Sequence, residues 1–219
     1  HGIWHHVDAA WGGAALFSKK HKNLLKGLER ADSFSFDAHK MLGSSMVCSA
    51  FIVQDDAILP LTMAHTNKGD YLFDYPNREL SLGRISPQCG RRADALKLWL
   101  TWLDLGEQGL GEKVDSCIEV SKYLAALVDE NPKFVLQSFS FSNVCFRFAP
   151  KTGETIDEGN IRIRMARNLL EELGQSMVLD SVLDDQLVIR FTASHSGVDF
   201  SAAEKFLNDL IAADEKCSF

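Results

Sequence analysis

Apolar and small polar residues alternate along residues 35–40, which predicts a short half-buried strand that ends at Lys40. Residues 3–10 and 47–54 are apolar enough to form two further buried strands of an α/β sheet. Asp8 lies near the end of the first of these strands. Ligands of open α/β sheets bind beyond the carboxyl ends of the strands, so Asp8 and Lys40 are candidate site residues.

Each candidate also has a plainer explanation. Lys40 could be a surface lysine at a strand end, since a lysine shifts its pKa usefully only where it is partly desolvated. Asp8 could cap a turn that Gly12 and Gly13 make. The same small residues could instead let a flat ligand or a neighbouring backbone approach closely.

The middle of the chain changes from an irregular segment to long helices. Residues 55–90 are irregular, as functional loops often are, and they contain Tyr71. Residues 91–106 are apolar almost all round, which predicts a deeply buried helix that ends at Gly106. Residues 112–130 predict a second long helix that could link two domains.

The last third of the chain has the pattern of a small α+β domain. A helix is predicted over residues 159–173, where apolar residues recur at steps of four. A strand pair follows, turned by Asp184 and Asp185. A capping box that begins at Ser201 and ends at Glu204 predicts the start of the last helix.

Composition narrows the function classes. The chain has 219 residues, 46% hydrophobic and 24% charged, which is typical of a globular protein in water. Its net charge of −7, without a basic block, argues against a nucleic-acid partner. No apolar run is long enough to span a membrane. Five scattered cysteines favour reduced thiols and a cytoplasmic location.

The start of the chain carries a separate expectation. The first residue is His1, without a methionine or a signal-like segment, and a predicted strand follows almost at once. We therefore expect the chain to be the C-terminal part of a longer polypeptide, whose missing N-terminal half completes the domain.

Residues 4–13 and 37–40 together strongly resemble the pyridoxal-phosphate-dependent amino-acid decarboxylases, most of all the glutamate decarboxylase and cysteine sulfinate decarboxylase branch. Further matches follow in family order at residues 70–73, 88–92, 98–100, 143–146 and 189–191. The ordered set, rather than any single motif, makes the resemblance specific.

The resemblance implies the aspartate-aminotransferase-like (type I) fold. In that fold, residues 1–110 would be the C-terminal part of the large α/β domain that binds pyridoxal phosphate. Residues 111–219 would be a linking helix followed by the small α+β domain.

The resemblance also implies four residues that hold the cofactor. Lys40 matches the lysine that forms a Schiff base with the cofactor, and Asp8 matches the aspartate that pairs with the pyridinium nitrogen. Ala10 matches the alanine that packs on the ring, and His39 matches the histidine beside the Schiff base. A carboxylate beside the pyridinium nitrogen favours the protonated ring, which is the electron sink for this chemistry.

Two further residues are implied for catalysis and substrate binding. Tyr71 matches the tyrosine of a mobile catalytic loop, which would return a proton to Cα while water is excluded. Arg190 matches the arginine that binds a substrate carboxylate, for which its planar charged fork is suited. The plainer alternative for Arg190 is a surface ion pair at a strand end.

One pair of residues departs from the family pattern, and a second pair suggests a different kind of site. Asp37 and Ala38 stand where the nearest animal relatives usually carry Asn-Pro. An aspartate beside a phosphate would bring like charges together, so we expect Asp37 to cap or support the site rather than contact the phosphate. His5 and His6 suggest a metal site, but neighbouring residues of a strand point to opposite faces, and we expect no metal.

The function expected from this resemblance is the decarboxylation of an acidic amino acid, namely glutamate, aspartate or cysteine sulfinate, by a homodimer. Two alternatives stay open. The first is another pyridoxal-phosphate reaction, such as that of an aminotransferase or lyase. The second is a non-catalytic scaffold. Without the resemblance, the residues alone indicate an α/β domain, a small α+β domain and possible lysine chemistry.

Overall fold

The computed structural model describes residues 2–63, 82–88, 90–195 and 197–217. The chain forms two compact units, His1–Gly111 and Glu112–Phe219, which are described separately below. No helix in these described ranges is long and apolar enough to cross a membrane.

The first unit is built on a three-stranded mixed sheet. Its strands are β1 (His6–Asp8), β2 (Ser33–Asp37) and β3 (Ser49–Val53), in that spatial order. β1 runs parallel to β2, whereas β3 is antiparallel to β2. This arrangement places the carboxyl ends of β1 and β2 at the same edge of the sheet.

Helical segments lie between and after the strands along the chain. Short 3-10 helices at Gly12–Phe17, Lys22–Leu25 and Leu28–Arg30 connect β1 to β2. After β3 come helix α1 (Ile58–Met63), a 3-10 turn at Leu82–Arg84 and the long element α2 (Asp94–Glu130). The backbone leaves helical geometry at Gly106, which has a φ of 64°, so the predicted interruption at this glycine is present within α2.

The predicted burial of these elements is wrong. Trp99 and Leu103, in the first part of α2, are 57% and 64% exposed. Ile3 precedes a first strand that is much shorter than predicted and is itself exposed, and Phe51 of β3 is 52% exposed. An apolar pattern shows which side of a segment favours contact with other apolar groups. The three short strands of this unit do not supply enough apolar surface to cover these side chains.

The second unit contains residues 112–130 of α2, a four-stranded antiparallel sheet and two further helices. The strands are β4 (Phe134–Ser140), β5 (Asn143–Phe148), β6 (Leu179–Leu183) and β7 (Gln186–Thr192), and their spatial order is β4-β5-β7-β6. Helices α3 (Ile156–Glu172) and α4 (Phe200–Lys216) pack against each other. A buried hydrophobic cluster joins the sheet to the helices and includes Phe146, Leu170, Ile189 and Leu210.

Local signals explain the bounds of these elements. The turn between β6 and β7 is confirmed at Asp184 and Asp185, which have φ values of 49° and 60°, as a tight hairpin turn requires. α3 begins three residues earlier than predicted, because the Thr155 hydroxyl and the Glu158 carboxylate form a capping box. The predicted start of α4 is also wrong, since the cap is Asp199, whose carboxylate accepts from the amide of Ala202.

Candidate active site

The ends of β1 and β2 bring the predicted cofactor-binding residues to one edge of the first sheet. Asp8 lies opposite Ser35 in the parallel register, and the amide of Ala9 donates to the carbonyl of Ser35 at 2.9 Å. At the end of β2, the amide of Asp37 donates to the carbonyl of Ala10 at 3.0 Å. The segments that carry Asp8 and Ala10 are therefore hydrogen-bonded to the segment that leads into Lys40.

Asp8 is exposed at the end of β1. Its Oδ1 accepts from the amide of Ala10 at 3.0 Å, so the carboxylate does cap the turn that follows the strand. A carboxylate has two oxygens and several acceptor positions. Capping therefore fixes the orientation of Asp8 and leaves acceptor capacity for a ring N–H.

The two glycines after this turn have different roles. A Cβ on Gly13 would lie 2.5 Å from the Cβ of Phe36 in β2 and 3.2 Å from the Cβ of Ala9. A Cβ on Gly12 would meet no atom within 4 Å. Only Gly13 is required for a close approach, and the approach is to the neighbouring strand.

Lys40 forms an ion pair with Asp37. Its Nζ lies 2.8 Å from Asp37 Oδ2, and the Lys40 side chain is 35% exposed against 17% for Asp37. The hydroxyl of Ser49 donates to the other carboxylate oxygen, Oδ1, at 2.6 Å. Burial acts to raise the pKa of Asp37, but the hydrogen bonds from Lys40 and Ser49 prevail and hold that pKa below its usual value. Asp37 is therefore an anion at neutral pH.

His39 is fixed to the start of β3. Its Nδ1 lies 2.9 Å from the carbonyl oxygen of Cys48 and 3.2 Å from the amide nitrogen of the same residue. The backbone amide of His39 donates to the same carbonyl at 3.2 Å. These contacts orient the imidazole through Nδ1 and hold the residue before Lys40 in place.

The two remaining predicted residues are not among the described residues of the first unit. Tyr71 is outside the described residues. Arg190 belongs to the second unit, where it lies on β7 between Cys145 of β5 and Leu179 of β6. It is exposed, and none of the ion pairs found among the described residues includes it.

His6, in the histidine pair, contacts the other two strands of the first sheet. His6 Nδ1 lies 2.8 Å from the Ser33 hydroxyl, and its ring packs beside Phe51. Within the described ranges, no group of three or more histidine, cysteine or acidic side chains could hold a metal ion.

Sequence reasoning missed Ser49. Its role depends on the antiparallel register that pairs Ser49 with Asp37, and that register is not visible in the sequence of either strand. The available signal was the expected strand at residues 47–54, whose start had to lie beside the end of β2 if the two strands paired as a hairpin.

The chemistry of this set fits pyridoxal phosphate. Lys40 offers an amine for the cofactor aldehyde, and Asp8 offers an exposed carboxylate for the ring nitrogen. The half-buried Ala10 offers a small side chain against which a flat ring can pack. Asp8 ends β1, and Ala10 and Lys40 follow the carboxyl ends of β1 and β2, two adjacent parallel strands, where α/β sheets bind their ligands.

Comparisons with known proteins point to the same chemistry. A model of the pyridoxal-dependent decarboxylase conserved domain matches residues 1–149. The chain is 41% identical over 163 residues to the mouse acidic amino acid decarboxylase GADL1, which is 73% of this chain. It is 42% identical over 154 residues to human cysteine sulfinic acid decarboxylase, which is 68% of this chain.

Solved structures extend the likeness to nearly the whole chain. The crystal structure of mouse CSAD matches with a TM-score of 0.88 and 28% identity over 98% of this chain. The structure of Oryza sativa TDC with PLP and tryptamine matches with a TM-score of 0.87 and 26% identity, also over 98%. The chain spans 30% and 31% of the two curated relatives, and 46% and 45% of the two crystallised chains.

Proposed function

This chain belongs to the pyridoxal-dependent decarboxylase family, and we propose that it is part of an enzyme that decarboxylates an acidic amino acid. The matches confirm the predicted branch and the type I fold. The proposed substrates are glutamate, aspartate and cysteine sulfinate, each converted to the corresponding amine and CO₂. The observation that carries the proposal is the placement of Lys40 and Asp8 at the ends of two adjacent parallel strands.

The residues of the first unit hold the cofactor in this proposal. Lys40 would hold the cofactor through its aldehyde, Asp8 would accept a hydrogen bond from the protonated ring nitrogen, and Ala10 would support one face of the ring. His39, oriented by its contacts with Cys48, would lie beside the cofactor. Pyridoxal phosphate supplies the electron sink when it is bound.

Two other residues act on the substrate. The guanidinium of Arg190 binds a substrate carboxylate, since it is permanently charged and can donate two parallel hydrogen bonds. Its exposure on β7 and the absence of an ion pair to a described residue support this role. The Tyr71 hydroxyl donates a proton to Cα after CO₂ has left.

The proposal includes partners that complete the protein. We infer that an upstream part of the polypeptide supplies the remaining cofactor contacts and that the enzyme is a cytoplasmic homodimer. The exposed apolar residues of α2 and β3, such as Trp99, Leu103 and Phe51, support an additional covering surface. The described cysteines form no disulfide, which agrees with a reducing compartment. The division into domains at residues 110 and 111 is part of this proposal.

The activity is tested by CO₂ release from the full-length protein supplied with pyridoxal phosphate. Glutamate, aspartate and cysteine sulfinate are compared in the wild type, in Lys40→Ala and in Lys26→Ala, which changes an exposed lysine that is not one of the candidate site residues. CO₂ and amine should form in equal amounts in the wild type and in Lys26→Ala, and neither should form in Lys40→Ala. Formation of a keto acid without CO₂ would indicate an aminotransferase, and no reaction with any substrate would indicate a non-catalytic relative.

A further inference from the structure

Arg147 is a buried arginine of the second unit that forms no ion pair with a described residue. It lies on β5 and is 9% exposed. None of the ion pairs found among the described residues includes it. Burial lowers the pKa of Arg147, which shows that its surroundings do not fully compensate its charge. Buried charges in proteins are normally paired, so this guanidinium lacks the partner that its burial calls for.

One edge of the guanidinium is held by the protein. Nη1 of Arg147 donates to the carbonyl oxygen of Leu187 at 2.8 Å and to Asn160 Oδ1 at 3.2 Å. A guanidinium has five N–H donors, and Nη1 carries two of them. These two contacts fix the plane of the fork between β7 and α3. They leave the three donors on Nε and Nη2 without an acceptor among the described residues.

The other edge of the guanidinium faces a space that a ligand can enter. Among the described residues, the enclosed side-chain atom without a hydrogen bond is Asp94 Oδ1, so Nε and Nη2 of Arg147 are not sealed in the interior. A Cβ on Gly159 would lie 3.0 Å from Nη2, and both residues line the same cavity. Nε and Nη2 together form the kind of parallel donor pair that binds both oxygens of a carboxylate.

The cavity beside Arg147 has a volume of about 330 Å³. Small-molecule sites have volumes of about 300–1,000 Å³, so this cavity suits a small ligand. Apolar side chains form part of its wall, and the amide side chains of two glutamines add polar groups; these residues are Val135, Phe148, Pro150, Gln137 and Gln186. A buried cation beside apolar walls suits an organic acid better than a fully hydrated inorganic anion.

The acidic side chains that line or adjoin the cavity have other partners. Glu154 has its two carboxylate oxygens 3.2 Å and 3.3 Å from Arg162 Nη1, and its Oε2 also accepts from the amide of Lys151 at 3.0 Å. Glu158 accepts from the amide and the hydroxyl of Thr155 in the capping box of α3. These contacts leave the buried guanidinium available to an anion that enters the cavity.

We propose that this cavity binds a small organic carboxylate, whose two oxygens accept hydrogen bonds from Nε and Nη2 of Arg147 and whose apolar part lies against Val135 and Phe148. None of the lining residues is a candidate cofactor or substrate residue, so the proposal does not rest on the proposed function. It assigns a ligand site to the small α+β domain.

The test is a fluorine NMR titration of para-fluorobenzoate against the full-length protein supplied with pyridoxal phosphate. This probe combines a carboxylate with a flat apolar body that is small enough for the cavity. We expect saturable binding with a Kd of about 0.1–1 mM, as befits a ligand of this size. The neutral analogue para-fluorobenzamide should bind about tenfold more weakly or less, because it lacks the charge that the guanidinium pairs with.

Variants at the cavity assign the binding to this site. Arg147→Gln removes the charge and should weaken binding of the carboxylate by about tenfold or more. Because it also removes the hydrogen bonds of Nη1, Gln137→Glu is tested beside it and leaves those bonds in place. Gln137 is exposed and lines the cavity, so a negative charge there should weaken binding by about threefold or more. Gln175→Glu makes the same change at an exposed position outside the cavity and should bind as the wild type does.

Four results would overturn the proposal. The first is that the wild type does not bind para-fluorobenzoate, and the second is that it binds the amide equally well. The third is an unchanged affinity in Gln137→Glu or in a folded Arg147→Gln. The fourth is a loss of binding in Arg190→Gln without one in Arg147→Gln, because the carboxylate would then occupy the residue proposed for the substrate.

Discussion

Gly13→Ala tests how closely the turn after β1 packs on β2. The added Cβ would lie 2.5 Å from the Cβ of Phe36 and 3.2 Å from the Cβ of Ala9. Carbon atoms in ordinary contact are separated by about 3.5–4.0 Å. Phe36 is buried, and its Cβ is attached directly to the strand backbone, so it cannot yield by a rotamer change alone.

The expected cost follows from this overlap. Inserting a methyl group into a packed region costs about 1–3 kcal/mol. Replacing glycine by alanine reduces the freedom of the unfolded chain, which offsets about 0.4–1 kcal/mol. The net loss of unfolding free energy should be about 1–2 kcal/mol, or a fall in Tm of about 2–4 °C per kcal/mol in a domain of this size. Because Ala9 lies between Asp8 and Ala10, cofactor affinity should also fall.

The assay compares thermal unfolding and cofactor titration of full-length Gly13→Ala and Gly12→Ala. Gly12→Ala is the matched control, because its Cβ would enter open space. Its Tm and cofactor affinity should match those of the wild type or slightly exceed them. Equal stability of the two variants would refute the close packing of the turn on β2.

Three further predictions concern other parts of the chain. Thr155→Ala removes the hydroxyl of the capping box of α3 and should lower the unfolding free energy by about 1 kcal/mol in denaturant titration, whereas Thr155→Ser should not. Asp185→Gly should stabilise the β6–β7 turn by about 0.5–1 kcal/mol in the same assay, because Asp185 has a φ of 60°; a loss of stability would contradict the turn geometry. The pKa of Asp37 is lowered on folding, so its stabilising contribution is present above the unfolded value of about 4 and is lost as the pH falls through the folded value. Acid unfolding curves of the wild type and Asp37→Asn should therefore converge below about pH 4, and a constant difference down to lower pH would contradict this assignment.

Local chemistry was the part of the fold most open to prediction from the sequence. The hairpin turn at Asp184 and Asp185 was predictable, because acidic residues tolerate the left-handed conformation that the turn requires. The start of α4 was not, although the signals were similar. Asp199 and Ser201 both suit a cap, and the contact with the Ala202 amide decided between them only in the folded chain.

Burial was predicted poorly for a different reason. The apolar pattern of residues 91–106 correctly indicates a helix with large apolar surfaces, but Trp99 and Leu103 are exposed. A hydrophobic pattern is a property of a segment, whereas burial depends on the surfaces that are available to cover it. The sequence contains the first kind of information for this helix and does not by itself contain the second.

The candidate site was likewise predictable from the sequence only in part. The predicted cofactor residues Asp8, Ala10 and Lys40 lie at one sheet edge because each ends or follows a strand, and strands can be recognised from their pattern. The contact between Asp37, Ser49 and Lys40 depends on a register between two strands, and a shift by one residue would turn Ser49 to the other face. That contact therefore required the structure.

Covalent attachment at Lys40 is the central claim, and the direct measurement is borohydride reduction of the full-length protein with pyridoxal phosphate, followed by peptide mass spectrometry. The account predicts one pyridoxyl group per chain on Lys40, with loss of the visible absorbance band on reduction. Lys40→Ala should have neither the band nor the adduct, while Lys26→Ala should retain both. A reduced cofactor on another lysine, or an unchanged band in Lys40→Ala, would contradict the account.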